Sequence, residues 1–231
     1  MNETKEIQLN THLKSVPLFS NLSDRQLNIL YKAGVINKSE KGNIIVHQHE
    51  PGDTFYIVIS GRAKVTLLNE DGKEIVLSVL KGGDFFGELS LLDNEPRSAN
   101  VIIVEDTSLF SLTRTQFYQL ISARPNILRK VLKEICTRLR DADEKIGSLA
   151  FLDVYGRTIR ILQQMAHDQG RKTKNGIEIL NAPTHQELSN MVGASREAIT
   201  RIIKILKENR NLVSYKGRRL ILREYSVKSL L

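Results

Sequence analysis

Leu128, Leu132, Ile135, Leu139, Ala142, Ile146 and Leu149 succeed one another at alternating intervals of four and three residues. Three heptads of this period put one apolar stripe along a single long helix and cannot belong to a strand, whose side chains alternate with period two. The stripe is narrow. A second copy of the chain, related by a two-fold axis, covers such a stripe as a coiled coil; the chain's own β region is the alternative cover. A helix of this kind divides the chain of 231 residues into a segment on its N-terminal side and a segment on its C-terminal side.

The N-terminal side is β-rich. Between Gly42 and Leu112, short apolar and β-branched runs recur at residues 44–46, 55–59, 63–68, 75–80, 99–104 and 108–112. Glycines punctuate them at Gly52-Asp53, Ser60-Gly61, Asp71-Gly72 and Gly82-Gly83, which predicts short strands joined by turns in a barrel, roll or sandwich. Ser23 ahead of Asp24 and Gln26 predicts a helix to about Ala33. The seam ends at Phe151-Leu152-Asp153. Beyond it the pattern predicts a helix from Val154 to about His167, a polar stretch over 168–175, a short strand at 177–180, a helix pair, and a hairpin over 212–223 turning at Lys216-Gly217. The expected segmentation is 1–114, 115–150 and 151–231, and the expected fold class is α+β.

Charge respects the same division. Residues 1–150 carry 19 basic and 19 acidic side chains, whereas 151–231 carry 15 and 7, so the last third holds the entire net charge of +8. A neutral body joined to a basic third points to a polyanion as partner, although a basic domain can also be merely soluble. With 41% hydrophobic and 26% charged residues the chain is not wholly disordered. No apolar run approaches the roughly 20 residues of a membrane helix, and the N-terminus lacks the apolar core of a signal peptide, so a cytoplasmic protein without membrane contact is expected. A single cysteine, Cys136, excludes an internal disulfide and any cysteine-clustered metal site. His47 and His49 alternate onto one face of an expected strand but lack a third ligand, so no metal is expected there. No nucleophile–base set stands out, and an enzyme is not expected.

Two segments carry chemistry. In the first, Gly87-Glu88-Leu89-Ser90 reads as a very short helix after a tight turn, with a guanidinium and a hydroxyl further on at Arg97-Ser98-Ala99. An arginine fork can clamp phosphate oxygens, Ser98 can donate to them, and Glu88 can accept from sugar hydroxyls. In isolation, Arg97 could instead pair with Glu88. In the second, Thr184 and Glu187 form a capping box, Gly193 supplies a turn, and Ser195 caps a helix whose apolar face is Ile199, Ile202, Ile203 and Leu206. A short helix, a glycine turn and a second helix make a helix-turn-helix. Arg196, Glu197, Thr200 and Arg201 lie away from the apolar face. Arginine can bond guanine O6 and N7, and a carboxylate can accept from cytosine N4; a solvated first turn is the plainer reading. Lys204, Lys207, Arg210, Lys216, Arg218 and Arg219 would contact phosphates or simply aid solubility.

The order of these parts (GELSLL…PRSA in a β region, a seam helix, then SREAITR in a helix-turn-helix) resembles the CRP/FNR family of bacterial transcription regulators from about Ser15 to Arg223. The resemblance implies a cyclic-nucleotide-binding, jelly-roll-like β-roll, a long dimerisation helix, and a winged helix-turn-helix. It implies that Gly87, Glu88, Leu89, Ser90, Arg97, Ser98 and Ala99 hold the ribose and cyclic phosphate, cyclic AMP first among the candidates. It also implies that Arg196, Glu197 and Arg201 read bases in an inverted repeat of a TGTGA-like half-site, with Ser195 and Thr200 beside them. The implied partners are operator DNA, a second copy of the chain, and RNA polymerase. The chain departs from the cyclic-AMP pattern on the dimer helix. There Ala142 and Asp143 stand where cyclic-AMP-binding members carry adjacent Thr and Ser. Asp143 can accept from an exocyclic amine and Ala142 cannot, which leaves cyclic GMP, cyclic di-GMP or no nucleotide open.

Overall fold

The computed structural model describes residues 13–209 and 212–223. The chain divides into two compact units, Met1–Arg140 and Asp141–Leu231. In the first, a 3₁₀ turn at Pro17–Phe19 leads to α1 (Asp24–Ala33), which Ser23 starts with a reciprocal capping box to Gln26. Strands β1 (Val35–Ser39), β2 (Ile44–Val46), β3 (Thr54–Leu68), β4 (Glu74–Lys81) and β5 (Phe85–Phe86) come next, then the one-turn helix α2 (Leu89–Leu92) and β6 (Asn100–Thr113). All the pairings are antiparallel: β1-β6-β3-β4 run in order, β2 joins β6, and β5 joins β3.

The two long strands differ from expectation. The turn pattern predicts each as a pair of short strands, yet β3 runs unbroken through Ser60-Gly61 and β6 through Glu105-Asp106-Thr107. Register shifts between Val58 and Ala63 absorb the irregularity. Gly61 is there because a Cβ would lie 2.3 Å from the Asp106 carbonyl, at a φ of +89°. The glycine marks a close backbone approach within a bulged strand and not a chain reversal. Alternation then feeds two cores. Phe55, Ile57, Phe110 and Leu112 pack with the helices, while Val58, Ala63, Ile103 and Leu109 pack with Val46, Leu80, Phe86 and Val101. His47 and His49, expected on a strand face, lie instead in the turn after β2, where the His49 N–H donates to the Arg97 carbonyl at 2.8 Å.

The segment 115–150, expected as one helix, is divided. Helix α3 (Arg114–Ala123) ends at Arg124, and Pro125, which is disfavoured after a helical residue, opens α4 (Pro125–Phe151). Helix α4 carries two stripes. Ile127 and Val131 are buried in the first core, with Leu128 and Ile135 packed beside them. Leu132, Leu139, Ile146 and Leu149 remain 47–64% exposed. The first core thus covers Leu128 and Ile135 of the seam, while Leu132 and Leu139 of the same unit stay exposed.

In the second unit, α5 (Val154–Gln169) is capped by Asp153. Strands β7 (Arg171–Thr173), β8 (Gly176–Leu180), β9 (Leu212–Lys216) and β10 (Arg219–Leu222) form an antiparallel sheet in the order β7-β8-β10-β9. Strand β7 falls in the stretch expected to be only polar. Helices α6 (His185–Val192) and α7 (Arg196–Glu208) complete the unit around a core that includes Leu162, Ile179, Leu188, Ile199, Ile203 and Leu220.

Candidate ligand and DNA sites

The cassette after β5 is built around two buried charges. Gly87, at a φ of +83°, turns the chain so that Glu88 enters the interior; Glu88 is 2% and Arg97 6% exposed. They do not pair with each other. Arg97 donates from Nη1 to the Gly87 carbonyl at 2.8 Å and from Nη2 to the Thr54 carbonyl at 2.7 Å, and no carboxylate forms a salt bridge with it among the described residues. Burial lowers its pKa. Glu88 accepts from Arg138 of α4, Nη1 to Oε1 at 2.9 Å, while its Oε2 is buried with no partner. Burial pushes the Glu88 carboxyl up from 4.5, opposed by the Arg138 guanidinium. A buried acceptor left unmatched costs about 1–3 kcal/mol, and a hydroxyl donor arriving at Oε2 removes that cost. The site therefore offers a cation without a salt-bridge partner among the described residues and an acceptor without a donor, on either side of α2. That is the chemistry a sugar phosphate would match.

Two residues of this site escaped the sequence reading. Arg138 also donates to the Phe85 carbonyl at 2.6 Å and sits 4.9 Å from the centre of the Phe85 ring. Its only sequence signal is a basic residue next to the seam, fifty positions from its carboxylate. Arg114, at the start of α3, donates to the carbonyls of Ser90, Leu91 and Gly52 and to Asn94 Oδ1, tying the end of α2 to the Gly52 loop. Of the expected cassette residues, Ser90 and Ala99 are buried, whereas Leu89 and Ser98 are exposed. Ala142 and Asp143 are exposed on α4, within the second unit.

The helix-turn-helix forms as its capping pattern predicts. Thr184 and Glu187 make the reciprocal box that starts α6; Gly193, at a φ of +69°, ends it; and the Ser195 hydroxyl accepts from the Ala198 N–H to start α7. Ile199, Ile202, Ile203 and Leu206 are buried. Ser195, Arg196, Glu197, Thr200 and Arg201 are exposed, and Thr200 donates to the Arg196 carbonyl at 2.9 Å. Two residues expected to meet phosphates or to aid solubility also form ion pairs within the unit. Arg218 grips Glu187 with both Nη atoms at 2.8 and 3.0 Å, and Arg219 pairs with the buried Glu178, so both hold the β9–β10 hairpin in place. Tyr215 adds a hydrogen bond to the Pro183 carbonyl. Lys204, Lys207 and Lys216 stay exposed; Arg210 lies outside the described residues.

Residues 36–124 match the cyclic nucleotide-binding domain, and residues 156–226 match the Crp-like helix-turn-helix domain. The chain is 37% identical over 188 residues to the cAMP-activated global transcriptional regulator CRP of Salmonella typhimurium, covering 80% of this chain and 88% of that one. It is 32% identical over 163 residues to the CRP-like cAMP-activated global transcriptional regulator of Mycobacterium tuberculosis, covering 71% and 73%. Among solved structures, the c-di-GMP-responsive global regulator CLP of Xanthomonas campestris superposes with a TM-score of 0.76 at 26% identity, covering 84% and 96%. No helix among the described residues is long and apolar enough to cross a membrane.

Proposed function

The chain belongs to the CRP/FNR family of DNA-binding transcription regulators, and on that footing we propose that it is a bacterial cytoplasmic homodimer whose operator affinity is set by a cyclic nucleotide, cyclic AMP in the first instance. Residues 1–114 sense, 115–150 join the two copies, and 151–231 read DNA. The observation that carries the ligand reading is the pair of buried, mutually unpaired charges at Arg97 and Glu88. A cyclic phosphate supplies the anion that Arg97 lacks, and a ribose hydroxyl supplies the donor that Glu88 Oε2 lacks. Gly87, Leu89, Ser90, Ser98 and Ala99 shape the loop around them. The bare stripe of Leu132, Leu139 and Ile146 is the surface for the second copy.

In each copy Arg196, Glu197 and Arg201 face base edges, with Ser195 and Thr200 beside them. A two-fold dimer must set its two α7 helices about 34 Å apart to read successive turns on one face of DNA. The nucleotide raises affinity only if it binds the DNA-competent arrangement more tightly, a difference usually of about 1–3 kcal/mol. RNA polymerase is the expected protein partner, on family grounds alone.

Titration of an inverted-repeat TGTGA duplex with and without cyclic AMP tests this. Affinity is expected to rise about 5- to 150-fold with nucleotide, and Arg97→Ala is expected to abolish the rise. Equal affinity with and without every cyclic nucleotide tried rules out ligand control. A second reading, with a different nucleotide or none, is favoured by Ala142 and Asp143. Alanine offers no hydrogen bond to a base, and a carboxylate prefers a base that presents amino or imino donors. A panel of cyclic AMP, cyclic GMP and cyclic di-GMP in the same titration decides between the readings.

A further inference from the structure

His185 lies at the first position of α6, in a concavity of about 400 Å3 lined by Thr184, His185, Gln186, Arg196, Tyr215 and Gly217. The walls come from the start of α6, the first turn of α7 and the β9–β10 turn. The ring is partly exposed, packs edge-on against Tyr215 at 5.2 Å, and bonds through Nδ1 to Thr200 Oγ1 at 3.1 Å. The Thr200 hydroxyl hydrogen goes to the Arg196 carbonyl, so Oγ1 can only accept from the ring. Nδ1 therefore carries the hydrogen of the neutral imidazole. Nε2 is left as a bare acceptor, without a hydrogen-bond partner among the described residues.

The surroundings favour the neutral ring in the free protein. Burial, then Lys207 and Arg196 of α7, lower its pKa from the ordinary 6.5. On α6 itself, Glu187 is held ionised by its hydrogen bonds to Thr184 and Arg218, and its charge is taken up by Arg218 of the hairpin. Tyr215 on β9, pushed up to about 12, stays uncharged. The concavity is thus lined by one permanent cation, Arg196, and by an imidazole at the start of α6. A DNA phosphodiester seated there would bring a negative charge against an imidazole that needs one proton from solvent to become a donor.

We propose that His185 is a DNA-backbone ligand whose Nε2 takes up a proton when a phosphodiester enters this concavity, so that operator binding is coupled to protonation. The proposal rests on the reading of α7 as the DNA-contacting helix, and deepens it. Proton uptake makes the complex weaken as pH rises, and it adds about one phosphate contact per half-site to the salt dependence at low pH only.

The test is fluorescence anisotropy of the full chain, with nucleotide present, on a labelled inverted-repeat duplex across pH 6 to 8. The dissociation constant is expected to rise about tenfold over this range. His185→Gln, which retains a donor for Thr200, is expected to change less than about twofold, and His185→Arg to bind tightly with a flat profile. His167→Gln should behave like the parent chain. The His185 ring protons, monitored by NMR, are expected to titrate at higher pH with duplex bound and to be unmoved by inorganic phosphate alone. Duplex binding with the same pH profile in parent chain and His185→Gln overturns the proposal while leaving α7 as the reader. So does an equal upward shift with inorganic phosphate. Failure of the duplex to bind at any pH overturns both.

Discussion

A methyl group added at Gly52 should disable the nucleotide site without replacing any residue expected to contact nucleotide. A Cβ there would lie 2.0 Å from Arg97 Nε and 2.3 Å from Cζ. The Gly52 backbone cannot withdraw, because its carbonyl accepts from Arg114 Nη2 at 3.0 Å and the next carbonyl, that of Asp53, accepts from the Arg114 N–H at 2.6 Å. The guanidinium must move instead, releasing the carbonyls of Gly87 and Thr54. Hydrogen bonds to a charged donor contribute about 1.5–3 kcal/mol each, so losing two, with water recovering part, destabilises the first unit by about 2–4 kcal/mol. Moving the cation out of reach of a phosphate removes one such bond from the complex, a loss of about 10- to 100-fold in nucleotide affinity. Isothermal titration with cyclic AMP reads the affinity, and urea unfolding monitored by circular dichroism reads the stability. Gly52→Ala binding nucleotide within twofold of the parent chain, with an unchanged unfolding midpoint, would show that Arg97 is not held against these two carbonyls.

Arg138→Ala leaves a buried carboxylate uncompensated and should cost roughly 2–3 kcal/mol at pH 7. Glu88 already titrates above 4.5 in the folded chain, so its ionisation favours unfolding; the variant's deficit should shrink as pH falls towards 4.5, which urea titrations at pH 5 and pH 7 will check. Leu139→Asp and Ile146→Asp place charges on side chains 61% and 64% exposed; sedimentation should find monomers with an intact circular dichroism spectrum and little operator affinity. Gly193→Ala forces a methyl-bearing residue to a φ of +69°, costing about 1–2 kcal/mol, measurable as a lower thermal midpoint.

The helix-turn-helix was legible because its signals are local: Thr184, Glu187, Gly193 and Ser195 act within four residues of themselves. The cassette loop was legible for the same reason, and its supports were not. Arg138 meets Glu88 across fifty residues, and Arg114 meets Gly52, which abuts Arg97, across 62. The long strands were misread because Gly61 looks like a turn residue, and only the facing Asp106 carbonyl shows why no Cβ fits there. Likewise, the heptad seam gave the helix but not its division, since period alone does not separate Leu128 and Ile135, which pack inward, from Leu132 and Leu139, which do not.

Glu187 closes the box that starts α6 and also receives the two-pronged grip of Arg218 from the hairpin. Initiating the helix and docking the wing therefore share one carboxylate. A lesion there would weaken the helix start and the hairpin together, leaving the Thr184 hydroxyl to cap α6 and the Arg219–Glu178 and Tyr215–Pro183 contacts to hold the hairpin. Substitutions at Glu187 should accordingly perturb helix start and wing docking in step, never one without the other.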